Sequence, residues 1–199
     1  MNGTRIWIGL VAMLMIVGLA ACTGGTQQDA AEPMLIDPEL FSAPLGEPAI
    51  PLPDFGTLSE VPTEMNTTND QVLALINEQR AQQGCPPLTR NAVLDAVAYT
   101  HSEDMANNDF VSHKSLDGTE FWQRIQNAGY PFAEAAENIA AGSTTPEQTV
   151  QLWMASSGHS KNILNCNLRE TGIGIYHNPT DSGEIVMFFY WTQLFTIPQ

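Results

Sequence analysis

Four histidines carry the only side chains of this chain whose ordinary pKa lies near neutrality, and two stand in segments suited to chemistry. His113 lies in V-S-H-K-S and His159 in S-S-G-H-S; both runs are polar and turn-forming, unlike the apolar face of a helix. Glu137 stands between them in A-E-N. Two imidazoles and a carboxylate can hold Zn²⁺ or a similar divalent ion and leave a position for water. They can also work without metal, the carboxylate orienting an imidazole that acts as general base. The three lie in separate segments, so spacing alone does not bring them together. His101 falls on an apolar helical face beside Ala98 and Met105 and reads as a satisfied, partly buried histidine. His177 ends a strand and faces solvent.

Other groups fit packing better than catalysis. Ser156, Ser157 and Ser160 surround His159, but no G-x-S-x-G elbow accompanies them, and Ser157 is expected to cap the following turn. Gly172 and Gly174 alternate with Ile173 and Ile175, which predicts close approach of a helix to that strand face and not a phosphate loop. Asn138 is expected to hold its loop through backbone hydrogen bonds. Trp122, Trp153 and Trp191 read as core and sheet packing.

The N-terminus reads as a targeting signal over residues 1–21. Arg5 precedes an apolar run from Ile6 to Leu19, too short to span a bilayer comfortably. The run ends in Leu19-Ala20-Ala21-Cys22, a lipobox in which Cys22 becomes the acylated N-terminus. Residues 22–65 are rich in proline and, apart from Cys22 itself, in polar and acidic residues, with no Lys or Arg. They read as an extended tether reaching about 100 Å if all polyproline II. A folded domain follows from Asn66 to Gln199. The net charge of -15 argues against nucleic acid and against electrostatic attachment to anionic lipid. With Cys22 assigned to lipid, Cys85 and Cys166 remain as an even pair in an exported domain, and a disulfide is expected. The competing reading is a catalytic thiolate.

Four helices are signalled by their starts. Thr68 with Gln71 forms a capping box ahead of Val72, Leu75 and Ile76. Asn91 caps a second helix, Asp117 with Glu120 opens a third, and Thr145-Pro146 opens a fourth carrying Val150 and Trp153. A short turn follows from His159 to Leu164. Thr171–Tyr176 and Glu184–Phe195 are strand-like, and the second is apolar on both alternating sets. Such a sheet must be covered on both sides, which predicts an α+β fold of three layers, α-β-α, around a mainly antiparallel sheet.

Several ordered motifs extend the reading: N-E-Q-R at Asn77–Arg80, the His113 segment, A-E-N-I-A-A-G at Ala136–Gly142, V-Q-L-W-M-A-S-S-G-H-S-K-N-I-L at Val150–Leu164, G-I-G at Gly172–Gly174 and Y-W-T-Q-L-F at Tyr190–Phe195. Together they resemble the CAP superfamily (cysteine-rich secretory, antigen 5 and pathogenesis-related proteins), in particular its bacterial secreted branch, from Asn66 to the end. The resemblance implies the same sandwich and places His113, Glu137 and His159 along one cleft. It also exposes a departure: Ser156 stands where many animal and plant members carry a second acidic residue, so the four-residue site has three members here. The expectation is a lipid-anchored, extracytoplasmic CAP-domain protein that binds a small ligand, lipid or envelope component, or a divalent metal such as zinc at His113 and His159. The alternatives are a hydrolase acting through the same cleft and a structural or adhesive domain; whether the protein is an enzyme stays open.

Overall fold

The computed structural model describes Ser59, residues 61–199 and a short strand β1, Met34–Leu35. The signal segment, Cys22 and nearly all of the acidic stretch lie outside the described residues.

Helix α1 runs Thr63–Gln82, with Pro62 as its N-cap at φ -57°, close to a helical value. It therefore starts five residues before the expected box: Thr68 is interior, and Gly84, at φ 73°, ends the helix region. Strand β2 is Thr89–Arg90, and α2 is Ala92–Asn107. Asn91 caps α2 as expected, its side chain accepting from Val93 N at 3.0 Å and Leu94 N at 3.4 Å. Helix α3, Phe121–Asn127, starts later than expected, with Glu120 as N-cap and the Gln123 side chain accepting from Glu120 N at 2.9 Å. Asp117 instead closes the preceding turn, accepting from Thr119 N at 2.8 Å. Helix α4, Pro146–Ala155, is capped by Thr145 through Gln148 N at 3.2 Å. Helix α5 is Ser157–Ile163. Ser157 is its first helical residue and not its cap, because Ser156 already holds the extended N-cap backbone.

Strands β3 (Phe132–Ala141), β4 (Glu170–His177) and β5 (Phe189–Pro198) form the sheet, in the order β1-β3-β5-β4-β2. Pairing is antiparallel except between β2 and β4. The alanine-rich β3 carries little intrinsic strand preference; pairing with β5 over nearly its whole length makes it a strand. The strand expected from Glu184 begins only at Phe189. Asp181 explains the delay: its Oδ2 accepts from Met187 N at 2.8 Å, Phe188 N at 2.9 Å and the Tyr190 hydroxyl at 2.8 Å, which holds the backbone in a loop. Phe188 takes φ 63° there, and Val186, Met187 and Phe188 stay exposed.

The sheet is covered on both faces. One core joins Val72 and Ile76 of α1, Trp153 of α4 and Ile163 of α5 to Ile173, Trp191 and Phe195. The other joins Leu94 and Ala98 of α2 and Phe121 and Ile125 of α3 to Ala135 and Leu194. This is the three-layer α-β-α sandwich. Gly172 and Gly174 face α2 so closely that a Cβ would overlap the backbone at Leu94–Asp95 and Ala98–Tyr99. Cys85 and Cys166 are joined in a disulfide.

Candidate functional site

Glu137 and Asn138 stand on β3, whose consecutive residues point to opposite faces. Glu137 pairs in register with Leu194 and points into the α2–α3 layer. Asn138 points into the α5 layer, where it receives Asn162 Nδ2 at 3.0 Å and donates to His159 O at 3.2 Å. The dipeptide thus ties the two layers together at one point of the sheet, and Asn138 works through its side chain.

Glu137 is almost fully buried, at 1% exposure. Its Oε1 accepts from His113 Nδ1 at 2.8 Å, and its Oε2 accepts from Arg124 Nη2 at 2.6 Å. Burial pushes this carboxyl up, but the Arg124 guanidinium and the His113 hydrogen bond outweigh it and hold the group at about 2. Glu137 is therefore a carboxylate throughout the neutral range. His113 must donate from Nδ1, and in the neutral ring Nε2 is then the acceptor; 23% of its side chain is exposed.

Arg124 was not among the residues singled out from the sequence. Its Nη1 donates to His113 O at 2.9 Å, and more weakly to Ser115 Oγ at 3.3 Å and Thr119 O at 3.4 Å. The same guanidinium thus holds the backbone that carries His113 and the carboxylate that orients it. The available signal was scarcity: the chain has only 7 Lys and Arg, and one of them lies on the otherwise half-buried helix F-W-Q-R-I.

His159, on α5, is half-buried. Burial and then the neighbouring His113 hold its pKa below the ordinary imidazole value, so the two rings lie within electrostatic reach. His101 departs from expectation. It is 1% exposed, its Nε2 lies 2.9 Å from Ser112 O, and its Nδ1 has no partner. Burial drives it down to about 4. It is thus fully buried and only half satisfied. His177 is exposed as expected and stacks on Phe189 at 4.2 Å.

A zinc site with three protein ligands does not assemble from these groups. Both Glu137 oxygens are engaged, and among the described residues no cluster of three or more His, Cys, Asp or Glu gathers to hold a metal. The donor set that remains is two imidazoles. Ser156 caps α5 by position, and its carbonyl accepts from the Ser160 hydroxyl at 2.7 Å; it supplies no acid. Glu134 accepts from Asn165 Nδ2 at 3.0 Å, away from Glu137's face.

The sequence profile of the cysteine-rich secretory protein family (CAP) matches residues 73–195, more than half of the chain and every element that builds this site. The chain belongs to that family. The chain is similar to the Bacillus subtilis (strain 168) protein YkwD, 34% identical over 139 residues, covering 70% of this chain and 51% of YkwD. It is similar also to the membrane protein YlbC of the same organism, 33% identical over 109 residues, covering 55% of this chain and 32% of YlbC. This chain therefore spans about half and about a third of those relatives. Among solved structures, an extracellular protein containing an SCP domain from Bacillus anthracis superposes at a TM-score of 0.59 with 31% identity, over 71% of this chain and 45% of that one. An outer surface protein of Borrelia burgdorferi superposes at 0.61 with 20% identity, over 72% of this chain and the whole of that one, and shares the fold.

A groove of about 690 Å³ on the CAP domain is not lined by His113, Glu137 or His159. It runs between α2 and the Ser115–Thr119 turn and shares only Arg124 and His101 with the cluster.

Proposed function

We propose that this CAP-domain protein is a lipid-anchored, extracytoplasmic binding module that holds a small polar ligand between His113 and His159. The observation that carries the reading is the His113–Glu137–Arg124 arrangement: a buried carboxylate, kept charged by a guanidinium, fixes one imidazole in a single tautomer at a partly exposed position. With His113 neutral, its Nε2 is an acceptor, and together with the His159 ring within electrostatic reach it suits a ligand with hydroxyl or amide donors. The lipobox at Cys22 and the extracellular relative from Bacillus anthracis support a place outside the cytoplasm. Among the described residues no helix is long and apolar enough to cross a membrane, so Cys22 is the attachment this reading relies on.

Ligand-observed NMR against a panel of carboxylates, sugars and lipid headgroups tests the cleft. Hits are expected to vanish in both His113→Ala and His159→Ala; hits indifferent to both changes would defeat the assignment. Fatty-acid labelling that persists in Cys22→Ser would defeat the anchor independently.

The same carboxylate–imidazole pair favours a second reading, hydrolysis with water as nucleophile and His113 as base. Turnover of model esters or peptides that is lost in folded His113→Gln would establish it. Binding without turnover leaves the module, and neither leaves a structural role for the cluster.

A further inference from the structure

We propose that the groove between α2 and the Ser115–Thr119 turn is a second binding site, separate from the His113–His159 cleft, for a positively charged, peptide-like ligand.

Three independent features point there. The first is shape: α2 gives one wall, its Val97, Thr100, His101 and Asp104 repeating at helical spacing, and the turn before α3 gives the other. At about 690 Å³ the groove is the size of a small-ligand site. The second is charge. Glu103, Asp104 and Asp117 line it, and the whole chain carries -15, so a cation is drawn toward this rim and an anion is turned away.

The third is its buried polar floor. His101 donates from Nε2 to the Ser112 carbonyl, because a carbonyl can only accept, and at neutral pH its Nδ1 therefore carries a bare lone pair. That Nδ1 is buried and unpartnered, and so is Arg124 Nε, an obligate donor. Both residues line the groove, and a ligand that displaces the side chains covering these two atoms would meet one acceptor and one donor, the complement of an amide's N–H and C=O. The chain itself shows that the wall receives a polypeptide: Ser59 N donates to Thr100 Oγ1 at 3.1 Å and the Ser59 hydroxyl donates to Glu103 Oε2 at 2.5 Å. An amine-bearing peptide that enters beside Ser59 would place its amides toward the floor and its cation at the acidic rim.

The test uses the mature full-length protein and the capped peptide acetyl-Ala-Lys-Ala-amide, with acetyl-Ala-Glu-Ala-amide as the charge-reversed probe. Titration followed by NMR should saturate with the Lys peptide, moving backbone resonances of α2 and of Ser115–Ala128. The His101 Nδ1 nitrogen should shift as its lone pair gains a donor. Glu103→Gln with Asp117→Asn keeps acceptors for Ser59 and Thr119 N and should weaken the Lys peptide roughly tenfold. His113→Ala should leave binding unchanged. No saturation at millimolar peptide, equal binding of the Glu peptide, or binding unaffected by the double variant would each overturn the proposal. Binding abolished by His113→Ala but not by the double variant would assign the peptide to the cleft and overturn the second site, leaving the function proposed for the cleft intact.

Discussion

Arg124 Nη2 and Glu137 Oε2 meet at 2.6 Å across two layers of the fold, the guanidinium from α3 and the carboxylate from β3. With side-chain exposures of 11% and 0%, neither group can fall back on water if the other is removed. The pair is therefore both the electrostatic centre of the site and its mechanical staple.

Removing one partner should be far worse than removing both. Arg124→Met leaves an uncompensated buried carboxylate and is expected to cost about 3–5 kcal/mol. Arg124→Met combined with Glu137→Leu should recover much of that, because the desolvation penalty leaves with the charge. Urea midpoints of the two singles and the double check this; additive losses would contradict it.

Stability should fall with acid in two overlapping windows. His101 sits at about 4 in the folded protein against 6.5 ordinarily, so the unfolded chain takes up its proton first as the pH drops. The stability linked to neutral His101 is complete above 6.5 and is lost on the way down to about 4, on the order of 3 kcal/mol. Glu137 adds a second loss: its folded value of about 2 lies below the ordinary 4.5, so its contribution is present above 4.5 and disappears as the pH falls through 2. Chemical denaturation at a series of pH values should show this slope, and His101→Leu should flatten its upper part.

The disulfide and a buried arginine hold the same loop. Cys85 and Cys166 are 81 residues apart, and closing that span contributes about 4 kcal/mol in the chain-entropy picture. Arg80, fully buried, donates to the carbonyls of Pro86, Ile163, Asn165 and Leu168. The doubly substituted Cys85→Ala/Cys166→Ala protein should therefore keep its near-UV circular dichroism with a lowered Tm. Adding Arg80→Leu should abolish the fold, since four carbonyls, those of Ile163 and Leu168 buried, then lose their donor.

Gly174→Ala should be among the most damaging single changes, at about 3 kcal/mol or more. The new methyl would meet the α2 backbone at Ala98–Tyr99, and a helix backbone cannot turn aside as a side chain can. A thermal midpoint close to the parent's would show that α2 can move off the sheet.

Much of this architecture is legible along the chain because its causes are local. Asn91 and Thr145 satisfy the N–H groups of the next turn, so their caps are written in adjacent residues. The apolar sets Val186, Phe188, Tyr190 and Met187, Phe189, Trp191 predict a sheet covered on both faces; only Phe189, Tyr190 and Trp191 of them lie in β5, whose two faces are nonetheless both buried, Trp191 in one core and Leu194 in the other. Gly172 and Gly174 announce the close helix, and the leftover cysteine pair announces the bond that forms. Local signals also mislead where a distant group wins. The apolar run Val186–Phe188 reads as strand, yet Asp181 binds its N–H groups and turns it into a loop. β3 reads as nothing in particular, and only β5 beside it makes it a strand.

The sequence by itself determined the layers, because caps and apolar alternation act over a few residues, and its ordered motifs determined the family through their resemblance to the CAP superfamily. Tertiary structure alone decided what the residues do to one another. Arg124 reaches Glu137 across the fold, Glu137 engages both oxygens with Arg124 and His113, and His101 is sealed with one nitrogen unpaired. Coulomb and desolvation energies depend on distance and burial in three dimensions, and neither quantity is a function of position along the chain.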